Sequence, residues 1–318
     1  MPTLSEYQKL EKDMVVAGIY QNIITADALT AMLSFKSFEG NSMVYNRENV
    51  LPTSSTHAVG DTWETTEPTF TKKTASLTIV GSQSGVDLFA AETLSSVQSQ
   101  EAAVMSLMAK SLSRKIAQLV IQGEPEATAT HWEGLDSLVR SESRMMSMDA
   151  GTVGATAGSA ETELTLDRLD AMIDQIDDSQ TKPDALIMNA TMRRKLTALS
   201  RVPGSGVMMN EIDMFGHRVR TYDGIPMITT NWITDEEQYN ASGTWPSSTA
   251  TTIFAVQFGQ EKEGYTLIHN GDVLTPRVRD LGVKRDAEFH EKRMVAYLQA
   301  VTFSSKKIAA LGGIDSAA

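Results

Sequence analysis

Cysteine is absent from this chain. Disulfides and thiolate metal sites are therefore impossible, and the small secreted disulfide scaffolds are excluded, although the compartment stays open. Long apolar runs are missing as well. No stretch approaches about eighteen uninterrupted apolar residues, the length a membrane-spanning helix needs. Met1 to Glu11 carry charge where a signal peptide would have its apolar segment, so the sequence reads as a soluble protein made inside the cell. Positive charge is scarce, with 28 Lys and Arg against 40 Asp and Glu for a net charge of −12. No basic run is dense enough for a DNA-reading face, and any nucleic acid nearby is expected to be contained rather than gripped.

The usual chemical motifs are also missing. The 5 histidines, at positions 57, 131, 217, 269 and 290, never stand four apart, so no helical metal pair exists. There is no GxxxxGK[ST] phosphate loop and no GxGxxG after a strand. Gly81-Ser-Gln-Ser-Gly85 has glutamine where a nucleophile elbow needs serine. The clusters Asp174-Asp177-Asp178 and Asp235-Glu236-Glu237 lack the alternating oxygen spacing of a calcium loop and read as a solvated helix end and a loop. Catalytic residues, cofactor and metal are all expected to be none, and the protein is not expected to be an enzyme.

What is present is a core and an extension. The 318 residues are 41 % hydrophobic and 21 % charged, enough for one compact domain with large extensions or for two. The spacing predicts one long amphipathic helix from Thr93 to Gln122, about 45 Å in length. Its stripe is Leu94, Val97, Val104, Met108, Leu112, Ile116 and Leu119; Lys110 and Arg114 lie opposite, Lys115 at the edge, and Gly123 and Pro125 stop it. Before it, Phe35 to Ser82 is polar and extended. Met43, Val44 and Tyr45 begin a strand, Thr69 to Val80 is its return, and 8 threonines fall between Thr53 and Thr74. A two-stranded hairpin alone is marginal in water, so this one is either a flexible loop or stabilised by another subunit.

The remaining segments are shorter. Ser5 to Leu33 reads as a helix opened by a Ser5/Gln8 capping box, serving as a peripheral helix or an arm on a neighbour. Gly85 to Glu92 is a helical lead-in, His131 to Val139 a short mixed segment, and Asp149 to Glu161 a flexible loop. Thr165 caps a helix bearing Leu166, Leu169, Met172, Ile173 and Ile176. Pro183 to Asn189 is a buried strand followed by a helix with Met192, Leu196 and Leu199. Val202 to Asp213 reads as a loop, and Arg218–Thr221 and Pro226–Thr230 as strands joined at Asp223-Gly224. Asp235 to Ser248 is another polar loop. Thr252–Phe258, Gly264–His269 and Val295–Phe303 read as strands, with a turn at Asn270-Gly271 and extended chain from Asp272 to Lys284. Arg193-Arg194-Lys195, Arg140 and Arg144 read first as solvated charges and second as subunit contacts. Of the 17 methionines, Met145, Met146, Met148, Met208 and Met209 suit adaptable packing surfaces, with core filling the default reading.

The serial order of these parts carries a resemblance. An arm, a long hairpin, Val86-Asp-Leu-Phe-Ala-Ala-Glu92 and a spine helix are followed by Trp132-Glu-Gly-Leu-Asp136, Leu166-Asp-Arg-Leu-Asp170 and Pro183-Asp-Ala-Leu-Ile-Met-Asn189. Phe215-Gly-His-Arg-Val-Arg-Thr-Tyr-Asp-Gly-Ile-Pro-Met-Ile228 precedes the last strands. Over nearly its whole length the chain resembles the major capsid proteins of tailed bacteriophages, with the Hong Kong 97-type fold. The resemblance implies an α+β fold with N-arm (1–40), E-loop (41–82), P-domain (83–160, spine helix 93–122), A-domain (161–270), and return strands of the P-domain with the C-terminus (271–318).

In that family the E-loop lies over the adjacent subunit's P-domain, which would supply the hairpin's missing partner. Inter-subunit contacts are then expected at Tyr45, Arg47, Trp63, Phe70, Lys72 and Lys73, and at Arg193 and Arg194. Hexamers and pentamers would close into an icosahedral phage head around double-stranded DNA, bound without sequence specificity. A portal protein and a separate scaffolding protein are expected, the latter because the arm begins near Met1. Location would be the virion, after assembly in the host cytoplasm. Lys72 and Lys73 are available for the covalent crosslink some members make, but no partner asparagine stands out and none is expected. An encapsulin-like compartment around a protein cargo is the alternative; a soluble α/β enzyme with a lid is the alternative from another class.

Overall fold

A computed structural model describes residues 29, 32–50, 52–62, 67–93, 100–148, 162–176, 182–201, 209–214, 217–235, 250–261, 263–270 and 277–317. The N-terminal helix of Ser5 to Leu33, the Asp149–Glu161 loop, most of the Asp235–Ser248 loop, and Met208 lie outside the described residues, apart from Leu29, Met32 and Leu33. Among the described residues the chain forms three strand systems, five α-helices and a short 3-10 turn at Ser305–Lys307.

The first system is the hairpin. Strands β2 (Ser42–Val50) and β3 (Thr69–Ser76) pair antiparallel, Ser42 opposite Ser76 and Val50 opposite Thr69. The preceding β1 (Phe35–Ser37) belongs elsewhere, parallel to β11 (Tyr265–His269). The expected return strand Thr69–Val80 is in fact two strands that meet at Leu77. Beyond it β4 (Thr78–Asp87) leaves the hairpin and runs antiparallel to β13 (Phe289–Thr302) over ten registered pairs, from Thr78–Leu298 to Asp87–Phe289. The reason is burial. Val80 and Val86 have a core to enter, whereas Phe70 and Thr74 do not. On the other side of β13 lie β12 (Arg277–Val283) and β11, completing a five-stranded sheet.

Helix α1 (Leu88–Thr93) begins at Leu88 because Gly85, Val86 and Asp87 are still strand. Helix α2 (Gln100–Gln122) is the spine, 23 residues or about 35 Å; Leu94 and Val97 of its expected stripe lie outside the described residues. Met108, Leu112, Ile116 and Leu119 are buried and Val104 half-buried, while Arg114 and Lys115 are exposed. Each such core side chain is worth roughly 1.5–3 kcal/mol. Gly123 ends the helix for a reason of space. A Cβ there would sit 2.3 Å from the Trp132 carbonyl oxygen, and one on Gly134 would sit 2.4 Å from the Gly123 nitrogen. The two backbones touch, with the Gly134 N–H donating to the Gly123 carbonyl at 2.7 Å.

That contact seats helix α3 (Leu135–Ser141), whose Leu135, Leu138 and Val139 are buried. β5 (Met145–Ser147) follows, with Met145, Met146 and Met148 all in the core. It escapes a reading by alternation because all three of its residues are buried.

The third system is a seven-stranded sheet in the order β5, β14 (Ile308–Asp315), β10 (Ala250–Val256), β6 (Ala185–Met188), β9 (Ile225–Thr229), β8 (His217–Tyr222), β7 (Met209–Met214). Alternation assigns its two faces. Phe254, Val256, Ala185, Ile187, Ile308 and Ala310 join the spine and α3 in one core cluster. Ile253, Ala255, Leu186, Met188, Ala309 and Leu311 face helices α4 (Leu166–Ile173) and α5 (Ala190–Ser200) in another. Thr165 stands at the N-cap of α4 without a side-chain cap bond, whereas Asn189 caps α5, its Oδ1 accepting from the Met192 N–H at 2.8 Å. The Asp223-Gly224 turn has φ of 48° and 81°, the pair that a two-residue hairpin turn of this hand requires.

Two expectations change here. Val202–Asp213 is not all loop, because Met209–Met214 pairs with β8 as the sheet's edge; its polar Asn210, Glu211 and Asp213 disguise it. The terminal segment also divides. β14 does not return to the five-stranded sheet but lies between β5 and β10, and β11, reached before position 270, sits beside β13. Ile308 to Ile314 are buried on both faces, so only the inside of a doubly covered sheet accepts them.

Candidate assembly interface

Along one face of the hairpin the structure builds a clasp. The end of α3, the end of β13 and the middle of the hairpin's ladder converge there, Arg47 standing opposite Thr71. Glu142 is the C-cap of α3, and Ser143 behind it takes the left-handed backbone (φ 53°) that ends the helix and turns the chain toward β5. Arg47 Nη1 donates to Glu142 Oε1 at 2.5 Å, and its Nε donates to the Thr302 carbonyl at 3.0 Å, with Nη2 reaching the same oxygen. The two side chains are 9 % and 17 % exposed, so this ion pair is largely removed from water. Lys73 Nζ lies 3.3 Å from the same carboxylate but is 42 % exposed.

Beside them Tyr45 packs edge-on against Phe303, with centroids 5.4 Å apart. Burial pushes its phenol pKa up, against the pull of the Arg47 guanidinium. Ala75, Ile268 and Val301 form a small core under Phe38, Met43, Tyr45, Leu77 and Phe303. One face of the hairpin, from Met43 to Arg47, is thus held by its own chain.

Its other face and its tip are not. Val44 is 52 % and Phe70 64 % exposed, and every described residue from Pro52 to Thr62 except His57 is exposed. The clasp also fixes its direction. Thr78 meets Leu298, Arg47 meets Thr302 and Tyr45 meets Phe303, so the hairpin continues past the C-terminal end of β13 and away from the sheet.

The residues singled out in the sequence therefore divide. Tyr45, Arg47 and Lys73 serve the intrachain clasp, where simple periodicity could not place them. Phe70 and Lys72 stand on the outward face of β3. Trp63 lies outside the described residues. Arg193 and Arg194 are exposed on α5, far along the chain from the hairpin, with Arg194 Nη2 3.4 Å from Thr191 Oγ1. Arg140 and Arg144 are not free surface charges. Arg140 pairs with Asp136 and, at 3.6 Å, with Glu124, while Arg144 donates to the carbonyls of Gln175 and Ile308. Glu142 was the residue missed; nothing in the local sequence distinguishes it from other surface glutamates. Among the described residues no group of three metal-ligating side chains gathers, and no helix is long and apolar enough to cross a membrane.

Comparison with known proteins bears on the fold. A sequence model of the SU10 major capsid protein family matches residues 18–253. The holo-SrpI encapsulin complex from Synechococcus elongatus PCC 7942 superposes with a TM-score of 0.69 at 16 % identity, covering 95 % of this chain and 92 % of that one. The cyanophage A-1(L) capsid asymmetric unit gives a TM-score of 0.63 at 13 % identity, with 93 % and 95 % covered. The capsid of the native GTA particle gives 0.60 at 14 % identity, with 91 % and 90 % covered. No curated protein matches the sequence. At these identities the structural likenesses show the fold, which is the α+β Hong Kong 97-like capsid fold.

Proposed function

Because the chain belongs to the SU10 major capsid protein family, we propose that its hairpin completes its fold on a neighbouring copy, closing hexamers and pentamers into an icosahedral head around double-stranded DNA. A phage major capsid protein is a structural component of the virion, and its work is mechanical. Many modest contacts are made simultaneously, so releasing one subunit requires breaking all of them.

One observation carries the reading: the hairpin is clasped along one face by its own chain, directed away from its own sheet, and exposes Val44 and Phe70 on its other face. An isolated ribbon of this kind is marginal in water and is stabilised by a surface it lies on. On this reading residues 42–76 are the E-loop. The P-domain is the five-stranded sheet with α2, and the A-domain is the seven-stranded sheet with α4 and α5. Phe70 and Lys72, with Trp63 in the same loop, meet the neighbour, and Arg193 and Arg194 are further candidates. Portal and scaffolding proteins are its partners, and assembly takes place in the host cytoplasm.

The encapsulin likeness supports a second reading, a shell around a protein cargo, since the fold serves both. Electron microscopy of purified particles with nuclease protection separates them. Large particles holding nuclease-resistant DNA are expected; particles holding a co-purifying enzyme and no DNA would favour the compartment. A monomer at all concentrations and with all head proteins present would end both.

A further inference from the structure

The face of the five-stranded sheet turned away from the spine carries three arginines that no carboxylate answers among the described residues. Register places them together. Arg279, Arg293 and Gln83 stand side by side across β12, β13 and β4, and Arg277 stands two residues along the same face. All three arginines are exposed. Each is held by a neutral partner: Arg293 donates through Nε and Nη2 to Gln83 Oε1 at 2.9 and 2.7 Å, and Arg279 Nη2 to the Tyr297 hydroxyl at 3.1 Å. Arg277 lies 5.3 Å over the Tyr297 ring and donates to Asn270 Oδ1 at 3.0 Å. The carboxylate at the rim, Glu291, is occupied by Gln83 Nε2 at 3.1 Å and Lys284 at 3.7 Å. The guanidinium groups are therefore positioned, ready to receive anions, and not neutralised.

The opposite pattern occurs at the hairpin's end. Between Arg47 and Lys72 the sequence has no lysine or arginine, and its charged residues are Glu48, Asp61, Glu64 and Glu67. Asp61 and Glu67 are exposed. A chain cannot bring its own pieces together. Its hairpin leaves β13 at Thr302, nine residues or about 30 Å from Arg293, and points away from it.

We infer that the arginine face of one copy receives the acidic tip of the hairpin from the next copy. This rests on the proposal that the hairpin lies on a neighbour, and names where it lands. A contact between unlike ends of identical chains is heterologous. It propagates around rings and across a shell, as assembly of many copies requires. The net charge of −12 favours a protein occupant over nucleic acid, because repulsion between copies must be relieved somewhere at each interface.

Since the chain has no cysteine, single thiols test the geometry directly. Asp61→Cys and Gln83→Cys are placed on separate, co-expressed full-length chains, and disulfide-linked dimers are measured after mild oxidation of the particles. Ser84→Cys and Arg194→Cys replace Gln83→Cys as controls. Coupling to Gln83→Cys well above both controls is expected. Coupling to a control position alone would keep the hairpin on a neighbour but overturn this landing site. No coupling between copies anywhere would overturn both.

Charge exchange gives the second arm. Arg277→Glu with Arg279→Glu and Arg293→Glu, or Asp61→Lys with Glu64→Lys and Glu67→Lys, should each raise the concentration needed for assembly about tenfold, the order expected of three rim ion pairs. The two sets combined should restore it to within about threefold, since the pairs are re-formed with reversed sign. A failure of the combination to rescue, with each set folded by circular dichroism, would overturn the proposal. So would arginine variants that assemble normally and lose only packaged DNA.

Discussion

Replacing Glu142 by alanine should cost the dissociated subunit about 2–3 kcal/mol, because it leaves the Arg47 guanidinium without a counter-charge where only 9 % of the side chain meets water. The loss is below that of a fully orphaned buried charge, since Arg47 keeps its two bonds to the Thr302 carbonyl. Lys73 approaches the same carboxylate but is 42 % exposed, so Lys73→Ala should cost about 0.5 kcal/mol or less. Arg47→Ala should cost about 3 kcal/mol, and the double variant should show a coupling of about 1.5–2 kcal/mol between Arg47 and Glu142. Urea unfolding by linear extrapolation gives the energies. Hydrogen exchange locates them: amides of Ser42–Val50 and Thr69–Ser76 should lose protection in Glu142→Ala, while those of Ala250–Val256 and Ile308–Asp315 should keep theirs. If Glu142→Ala costs no more than Lys73→Ala, or the hairpin amides are unaffected, the clasp does not hold the hairpin and the argument from its direction fails.

Three further outcomes follow from the same geometry. Gly134→Ala should destabilise by about 3 kcal/mol or more in thermal unfolding, since its Cβ would stand 2.4 Å from the Gly123 nitrogen and 2.7 Å from the Ile121 carbonyl, both rigid backbone. Phe70→Ser, at a side chain 64 % exposed, should leave subunit stability within about 0.5 kcal/mol but reduce particle yield on size exclusion. Asp280 has its carboxyl pKa lowered by the Gly282 N–H and then by His290. A lowered carboxylate contributes stability that is present above its ordinary value, about pH 4, and lost as pH falls through the folded value. Melting temperatures below about pH 4 should therefore fall less steeply for Asp280→Asn than for the parent.

How much of this was legible in the sequence depends on the period of each element. The spine helix declared itself through Met108, Leu112, Ile116 and Leu119, four positions of one stripe over about three turns, and all four are buried. Pro183–Asn189 and Thr252–Phe258 read as strands because they are mostly apolar on both faces, and the structure has strands there at Ala185–Met188 and Ala250–Val256. β5 and β7 were hidden, one by its brevity and complete burial, the other by the charges an edge strand can carry. The break at Leu77 was illegible because β3 and β4 are continuous in extension and differ only in the partner they find. Partners also decide the interface. Tyr45 and Arg47 were marked as contacts with a neighbour, yet their positions depend on Phe303, Thr302 and Glu142, which lie 95 or more residues away. The arginine face was likewise invisible, because it is assembled from two strands that follow one another and a third from much earlier in the chain.

The junction at Leu77 determines how force would travel. Tension on the hairpin is delivered straight down the backbone into Thr78–Asp87, lengthwise to a ladder of ten rungs. A pull along that axis loads all the rungs at once, whereas a pull across it would open them singly. With the hairpin held by a neighbouring copy, as proposed, a container filled from within would be stretched along the direction in which each of its building blocks yields last.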